Sequence, residues 1–125
     1  MPALVEAQQI ASRAAGVGFD WENADQVIEK LDEELAELAE ARRGASPAEL
    51  EDEIGDLLFV LVNLARFVKV DPEQALRRTN AKFRERFGYM ERRLAERGMK
   101  LEEASMAELE GLWQQAKQAG QETSR

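Results

Sequence analysis

Apolar residues recur at the three- and four-residue spacing of an α-helix along almost the whole chain. Strong helix formers such as alanine, glutamate and leucine dominate, and β-branched residues are scarce, which disfavours strands. Glycine and proline divide the 125 residues into segments, and the length suits one domain. We therefore predict an all-α fold, an antiparallel bundle with helices over residues 3–15, 24–43, 47–68, 72–98 and 106–119.

N-cap signals mark the starts of three of these helices. Asn23 precedes the second helix, and Ser46 and Ser105 each stand three residues before a glutamate, which is the spacing of a capping box. We predict that residues 1–119 form the domain and that residues 120–125 are a disordered tail.

The charge balance and two missing residue types limit the chemistry. The net charge of -8 disfavours binding to nucleic acid or to an anionic membrane. The chain has no cysteine and no histidine, which excludes thiol chemistry, thiolate metal sites and the usual general base. The sequence has neither an apolar run of membrane-spanning length nor a secretory signal, so we predict a cytoplasmic protein.

The second helix carries a carboxylate where a core residue is expected. Val27, Leu31 and Leu38 form one stripe on the helical wheel. Glu34 falls inside this stripe, and Glu37 lies on its edge. A carboxylate in an apolar stripe is costly unless something cationic meets it.

The third helix is apolar on two faces. Residues 57–68 are apolar almost all round, so this helix is predicted to be buried on more than one side. A single chain of this length can hardly cover both sides, which indicates a homodimer or a higher oligomer. The predicted core stripe is Leu50, Ile54, Leu57, Leu61 and Leu64, and the second face carries Val60 and Phe67 together with Glu53, Asp56 and Asn63.

Two acidic pairs therefore face inward on neighbouring helices. Glu34 and Glu37 are three residues apart, as are Glu53 and Asp56, so each pair shares a helix face. Because a short turn joins the two helices, they are expected to pack antiparallel and to bring the four carboxylates together. Ligation by oxygen alone selects Mg²⁺ or Mn²⁺.

The fourth helix combines a core stripe with positive charge. Lys82 and Arg86 share one face and are either surface charges or a clamp for phosphate groups. The predicted core stripe is Leu76, Phe83, Phe87, Met90 and Leu94, with Asn80 among them.

Three aromatic residues allow two interpretations. Trp113 stands four residues before Lys117 in the fifth helix, where it either packs in the core or covers a nucleobase. Phe19 and Trp21, which follow the first helix, allow the same two interpretations.

Six segments keep the order and spacing of the motifs of a known family: VGFDW at 17–21, KLDEELAEL at 30–38, EIGDLLF at 53–59, VNLAR at 62–66, NAKFRERF at 80–87 and LWQQAK at 112–117. With these segments the chain resembles the MazG nucleoside triphosphate pyrophosphohydrolases. The resemblance covers residues 7–117, and it is greatest to the C-terminal domain of the two-domain form.

The resemblance implies an all-α dimer that hydrolyses nucleoside triphosphates to the monophosphate and pyrophosphate with Mg²⁺. It assigns the metal, or the base that orients water, to Glu34, Glu37, Glu53 and Asp56. It assigns the substrate to Asn80, Lys82, Arg86, Trp113 and Lys117. The residues expected to carry catalysis are Glu34, Glu53, Lys82 and Arg86.

Alternatives to this assignment remain at the level of the sequence. The chain could be a non-catalytic helical module for dimerisation or regulation, or a specialised dUTP or phosphoribosyl-ATP pyrophosphohydrolase of the same superfamily. A di-iron carboxylate bundle requires histidine ligands, which this chain lacks.

Overall fold

The computed structural model describes residues 1–123, and every regular element within them is helical. The elements are α1 (Ala3–Gly16), α2 (Ala24–Ala41), α3 (Pro47–Phe67), α4 (Pro72–Ala95), a short 3₁₀ turn (Leu101–Glu103) and α5 (Met106–Thr123). The predicted all-α class and the predicted order of five helices are confirmed for this part of the chain. None of these helices combines the length and apolar character needed to cross a membrane.

The chain divides into two compact units, Met1–Ala75 and a second that begins at Leu76. In the first unit, α3 packs against both α2 and α1. The connection between α2 and α3 covers only residues 42–46, so the two helices form an antiparallel hairpin. The buried apolar residues of this unit are Ala11, Val27, Val60 and Val62.

The burial of the two faces of α3 differs from the prediction. Val60 and Asn63, which were placed on the second face, are buried within the chain. Ile54 and Leu61, which were placed in the core stripe, are 44% and 47% exposed. The periodicity could not separate the faces because both are apolar, and the face that turns inward is the one that carries Glu53.

The second unit has its core at the C-terminal end of α4. Met90 and Leu94 pack with Leu112 of α5, and Trp113 lies against the edge of this cluster. The stripe predicted for α4 is therefore only half correct, because Leu76, Phe83 and Phe87 are exposed. These three residues occupy the N-terminal part of the stripe.

Capping explains where several helices begin and end. Asn23 accepts a hydrogen bond from the Gln26 backbone (3.0 Å), and Ser105 and Glu108 form the predicted reciprocal capping box. Helix α4 ends at Ala95, before the predicted residue 98, because Gly98 has a positive φ of 69° that a helix cannot contain.

Helix α5 is longer than predicted. It continues through Gly120 to Thr123, because a lone glycine weakens a helix without ending it when helix formers follow. Of the predicted tail, residues 124 and 125 lie outside the described residues, and the domain boundary at residue 119 stays a prediction.

Candidate metal centre

Glu34 is the buried carboxylate of the first unit. Its position in the stripe of Val27 on α2 makes it point toward α3, and it is only 6% exposed, as the sequence predicts. Oε1 of Glu34 lies 3.2 Å from Nζ of Lys30, one turn earlier on the same helix. Oε2 is buried and has no hydrogen-bond partner. One oxygen of this carboxylate is therefore buried without a partner.

Three carboxylates meet at this point. Glu34, Glu37 and Glu53 each place one oxygen so that all three atoms lie within 4.8 Å of one another. Glu37 is exposed and Glu53 is half-buried, so the group opens from the hairpin interior toward solvent. The antiparallel hairpin positions these side chains because its two helices face each other along residues 34–37 and 53.

Oε2 of Glu53 is also buried without a partner. Desolvation raises the pKa of Glu53, and the charges of Glu37, Glu34, Asp56 and Asp52 raise it further. Every one of these groups disfavours the charged form of the carboxylate. The site therefore concentrates more negative charge than Lys30, which contacts only Glu34 among these three carboxylates, can balance.

The fourth predicted ligand, Asp56, stands apart from the group of three. It is exposed on α3, and its charge acts on Glu53. The structure thus brings together three of the four predicted carboxylates. Unpartnered buried oxygens on two of them fit a hard divalent cation, which prefers oxygen ligands.

The predicted substrate residues lie in the second unit. Asn80 and Phe83 line a shallow cleft of about 350 Å³ together with Phe87. The ring of Phe83 lies 5.2 Å from that of Trp113, and the guanidinium of Arg86 lies over the Trp113 ring at 5.5 Å. Trp113 therefore packs at the edge of the core and also contacts Arg86, while its role toward a nucleobase stays a prediction. Lys82 is exposed and Lys117 is half-buried.

A second polar network joins the loop after α1 to the end of α3. Arg66 donates to both carboxylate oxygens of Asp20, one bond at 3.0 Å, and to Oδ1 of Asn63 at 3.0 Å. Asn63 in turn donates to the Phe59 carbonyl (3.1 Å). The Arg66 hydrogen bond lowers the pKa of Asp20, more than burial raises it. Trp21, next to Asp20, is half-buried. Phe19 is 81% exposed, so the interpretation that it packs in the core is wrong for this residue.

Sequence reasoning missed two of these features. The first is the ion pair of Lys30 with Glu34. The sequence analysis placed Lys30 only in the KLDEELAEL segment, although a spacing of four residues favours an ion pair on one helix face. The pairing of Asp20 with Arg66 bridges 46 positions, and no local pattern indicates it.

Fold and site together describe an all-helical protein with an acidic centre suited to a divalent cation. Comparison with known proteins agrees, because a family described as the MazG nucleotide pyrophosphohydrolase domain matches residues 22–89. The chain belongs to this family.

Named relatives extend the likeness over nearly the whole chain. This chain is 50% identical over 123 residues to the nucleoside triphosphate pyrophosphohydrolase/pyrophosphatase MazG of Thermotoga maritima, and the match covers 98% of this chain and 47% of the relative. It is 44% identical over 119 residues to the nucleoside triphosphate pyrophosphohydrolase of Escherichia coli K12, covering 94% of this chain and 45% of the relative. The chain thus spans about half the length of these relatives.

Proposed function

We propose that this chain hydrolyses nucleoside triphosphates to the monophosphate and pyrophosphate with the help of Mg²⁺. The observation that carries the proposal is the carboxylate group on the α2–α3 hairpin, where Glu34 and Glu53 each bury an unpartnered oxygen. Burying a carboxylate oxygen without a partner costs free energy, and a bound cation would offset this cost. The arrangement therefore favours a cation site. The names of the two relatives supply the reaction.

We assign the carboxylates to metal binding and catalysis according to their surroundings. Glu34, Glu37 and Glu53 are the proposed ligands, and Asp56, which lies outside this group of three, is a further proposed ligand. When bound, Mg²⁺ supplies positive charge for the triphosphate and acidifies the attacking water. Glu53 is half-buried and carries a buried oxygen without a partner, and we assign to it the role of the base that orients the water attacking the α-phosphorus.

The proposed contacts to the nucleotide are those that the resemblance to the family implies. Lys82 and Arg86 would offset the charge of the leaving pyrophosphate. Arg86 is already oriented by its contact with the Trp113 ring, which favours a defined position for its guanidinium. Asn80, Trp113 and Lys117 are the remaining proposed substrate residues.

Product analysis tests the reaction directly. The purified chain would be incubated with a panel of standard, deoxy and modified triphosphates in Mg²⁺, in Mn²⁺ and in EDTA. We expect monophosphate and pyrophosphate as first products, and none in EDTA. Diphosphate and phosphate as first products would contradict attack at the α-phosphorus. No turnover of any triphosphate would favour the non-catalytic alternative, and preference for a single substrate such as dUTP would favour a specialised enzyme.

We further propose that the chain forms a homodimer through the outer face of α3. Ile54, Leu58 and Leu61 on this face are 44%, 50% and 47% exposed, and Val68 continues the face at 52%. A continuous apolar stripe of this kind is unusual on a monomer and typical of an interface. A second copy of the same helix offers a matching stripe, because a two-fold axis places the same residues on both sides.

Sedimentation at micromolar concentration tests the dimer. Leu61→Asp places a charge on the exposed stripe, so we expect it to shift the protein from dimer to monomer, while Asp52→Asn on the same helix changes nothing. Val60→Asp is unsuitable for this purpose because Val60 is buried within the chain. A wild-type protein that sediments as a stable monomer would refute the proposal.

The predicted cytoplasmic location stays a prediction.

A further inference from the structure

Lys30 is the cation that meets the carboxylate group. Its Nζ lies 3.2 Å from Oε1 of Glu34 and 3.5 Å from Oε1 of Glu33. Among residues 1–123, no other ion pair to Glu34, Glu37 or Glu53 is found. Lys30 therefore provides the only direct charge compensation that the group receives within the described chain.

One ammonium group cannot balance this site. Three carboxylates converge, and Lys30 reaches only one oxygen of Glu34, leaving Oε2 of Glu34 and Oε2 of Glu53 without partners. The compensation is thus partial, and what remains is the negative charge that a divalent cation would neutralise.

The position and chemistry of Lys30 also allow a bound cation to displace it from Glu34. Its side chain is 36% exposed, whereas that of Glu34 is 8% exposed, so the lysine reaches the site from the solvent side. An ammonium group on a flexible four-carbon stem is strongly hydrated and makes no fixed two-point contact, unlike an arginine. Partly exposed pairs of this kind contribute little free energy, so the lysine can return to water at small cost.

We propose that Lys30 is a displaceable counter-ion, which neutralises Glu34 in the metal-free protein and competes with the divalent cation for it. This inference rests on the proposed metal site. It assigns to Lys30 a positioning role, since it acts through Glu34. The rival arrangement, in which Lys30 stays on Oε1 and orients Glu34 toward the metal, predicts the opposite effect on affinity.

Titration of Mn²⁺ into the metal-free protein by calorimetry separates these cases. Lys30→Gln removes the competing charge, so we expect it to bind Mn²⁺ about two- to fivefold more tightly than wild type, the factor that a partly exposed ion pair commands. Lys30→Arg keeps the charge and should not bind more tightly than wild type. Arg93→Gln breaks a comparable pair with Glu96, distant in sequence from the carboxylates, and should leave the affinity unchanged.

Thermal melting in EDTA gives a second readout, and circular dichroism checks that each variant folds. Lys30→Gln should melt only slightly below Arg93→Gln, because it leaves Glu34 without its cation but removes a pair that is partly exposed. Equal or weaker Mn²⁺ binding by Lys30→Gln would overturn the inference and leave the metal site intact. If wild type bound no Mn²⁺ at all, the metal site itself would be wrong and the inference would fall with it.

Discussion

Helix α3 contributes to two polar sites that differ in their charge balance. Near the start of the helix, Glu53 joins Glu34 and Glu37, and two oxygens have no partner. Near its end, Arg66 meets Asp20 and Asn63, and each carboxylate oxygen of Asp20 accepts a hydrogen bond. The first site is charge-unbalanced and the second is balanced.

The pKa directions follow this contrast. The pKa of Asp20 is lowered, chiefly by the hydrogen bond from Arg66, while the pKa of Glu53 is raised by desolvation and by neighbouring carboxylates. A lowered pKa means that the charged form stabilises the fold, and a raised pKa means that it destabilises the fold. The second site therefore contributes stability through its charged form, whereas the charge of the first site destabilises the fold until a ligand neutralises it.

Removal of one carboxylate from the unbalanced site should have the largest effect. We expect Glu53→Gln to reduce triphosphate hydrolysis by roughly 10³-fold, the scale of a lost general base, while the metal-free protein stays as stable as wild type or becomes more stable. Pyrophosphate release and melting in EDTA measure the two effects.

Asp32→Asn, an exposed position on α2, is the matched control and should change neither quantity. Asp56→Asn should also reduce hydrolysis, by a smaller factor than Glu53→Gln, because Asp56 is exposed and lies outside the group of three. Strong destabilisation of Glu53→Gln in EDTA would show that the carboxylate is structural.

Metal addition should distinguish the two sites next. At a Mn²⁺ concentration of a hundred times Kd, binding adds about 2.7 kcal/mol to the free energy of unfolding, which corresponds to a rise in Tm of roughly 10 °C. We expect this rise for wild type and for Asp20→Asn, and its absence for Glu53→Gln. Differential scanning calorimetry measures it, and equal rises in all three proteins would end the contrast between the sites.

Breaking the balanced site should cost stability and leave the chemistry alone. Asp20→Asn removes the charge that Arg66 binds, and we expect a loss of at most about 1 kcal/mol in the free energy of unfolding, the scale of a solvent-accessible ion pair. Urea unfolding measures the loss. Glu22→Gln, an exposed carboxylate in the same segment, is the control, and a lower kcat for folded Asp20→Asn would contradict a purely structural role.

The smallest expected effect is the change in folding stability with pH, which should have opposite signs at the two sites. The folded pKa of Asp20 lies below its ordinary 3.8, so its contribution to stability is present above that pH and is lost as the pH falls below it. The folded pKa of Glu53 lies above 4.5, so its contribution is favourable at acidic pH and is lost as the pH rises through the folded pKa.

Unfolding in EDTA at a series of pH values, for wild type and the two variants, resolves these contributions. Asp20→Asn should flatten the acid side of the profile, and Glu53→Gln should flatten the region above pH 4.5. If both variants flatten the same side, the two sites do not differ as described.

The sequence predicted these features where the signal was local. The wheel of α2 placed Glu34 among Val27 and Leu31, and the structure buries it there. The faces of α3 could not be ranked, because Ile54 and Val60 are equally apolar and only the partner helix decides between them. The contact of Arg66 with Asp20 depends on tertiary packing, and so does the exposure of Phe83, which no spacing reveals.

The carboxylate group also has a consequence for how fast this chain folds. Glu34, Glu37 and Glu53 all lie on one helical hairpin closed by residues 42–46, so their contacts are short in sequence and form early if the hairpin nucleates folding. Their mutual repulsion then acts on the folding transition state as well as on the final structure. A refolding buffer of low ionic strength should slow the search for the native hairpin, and dissolved divalent salt should speed it.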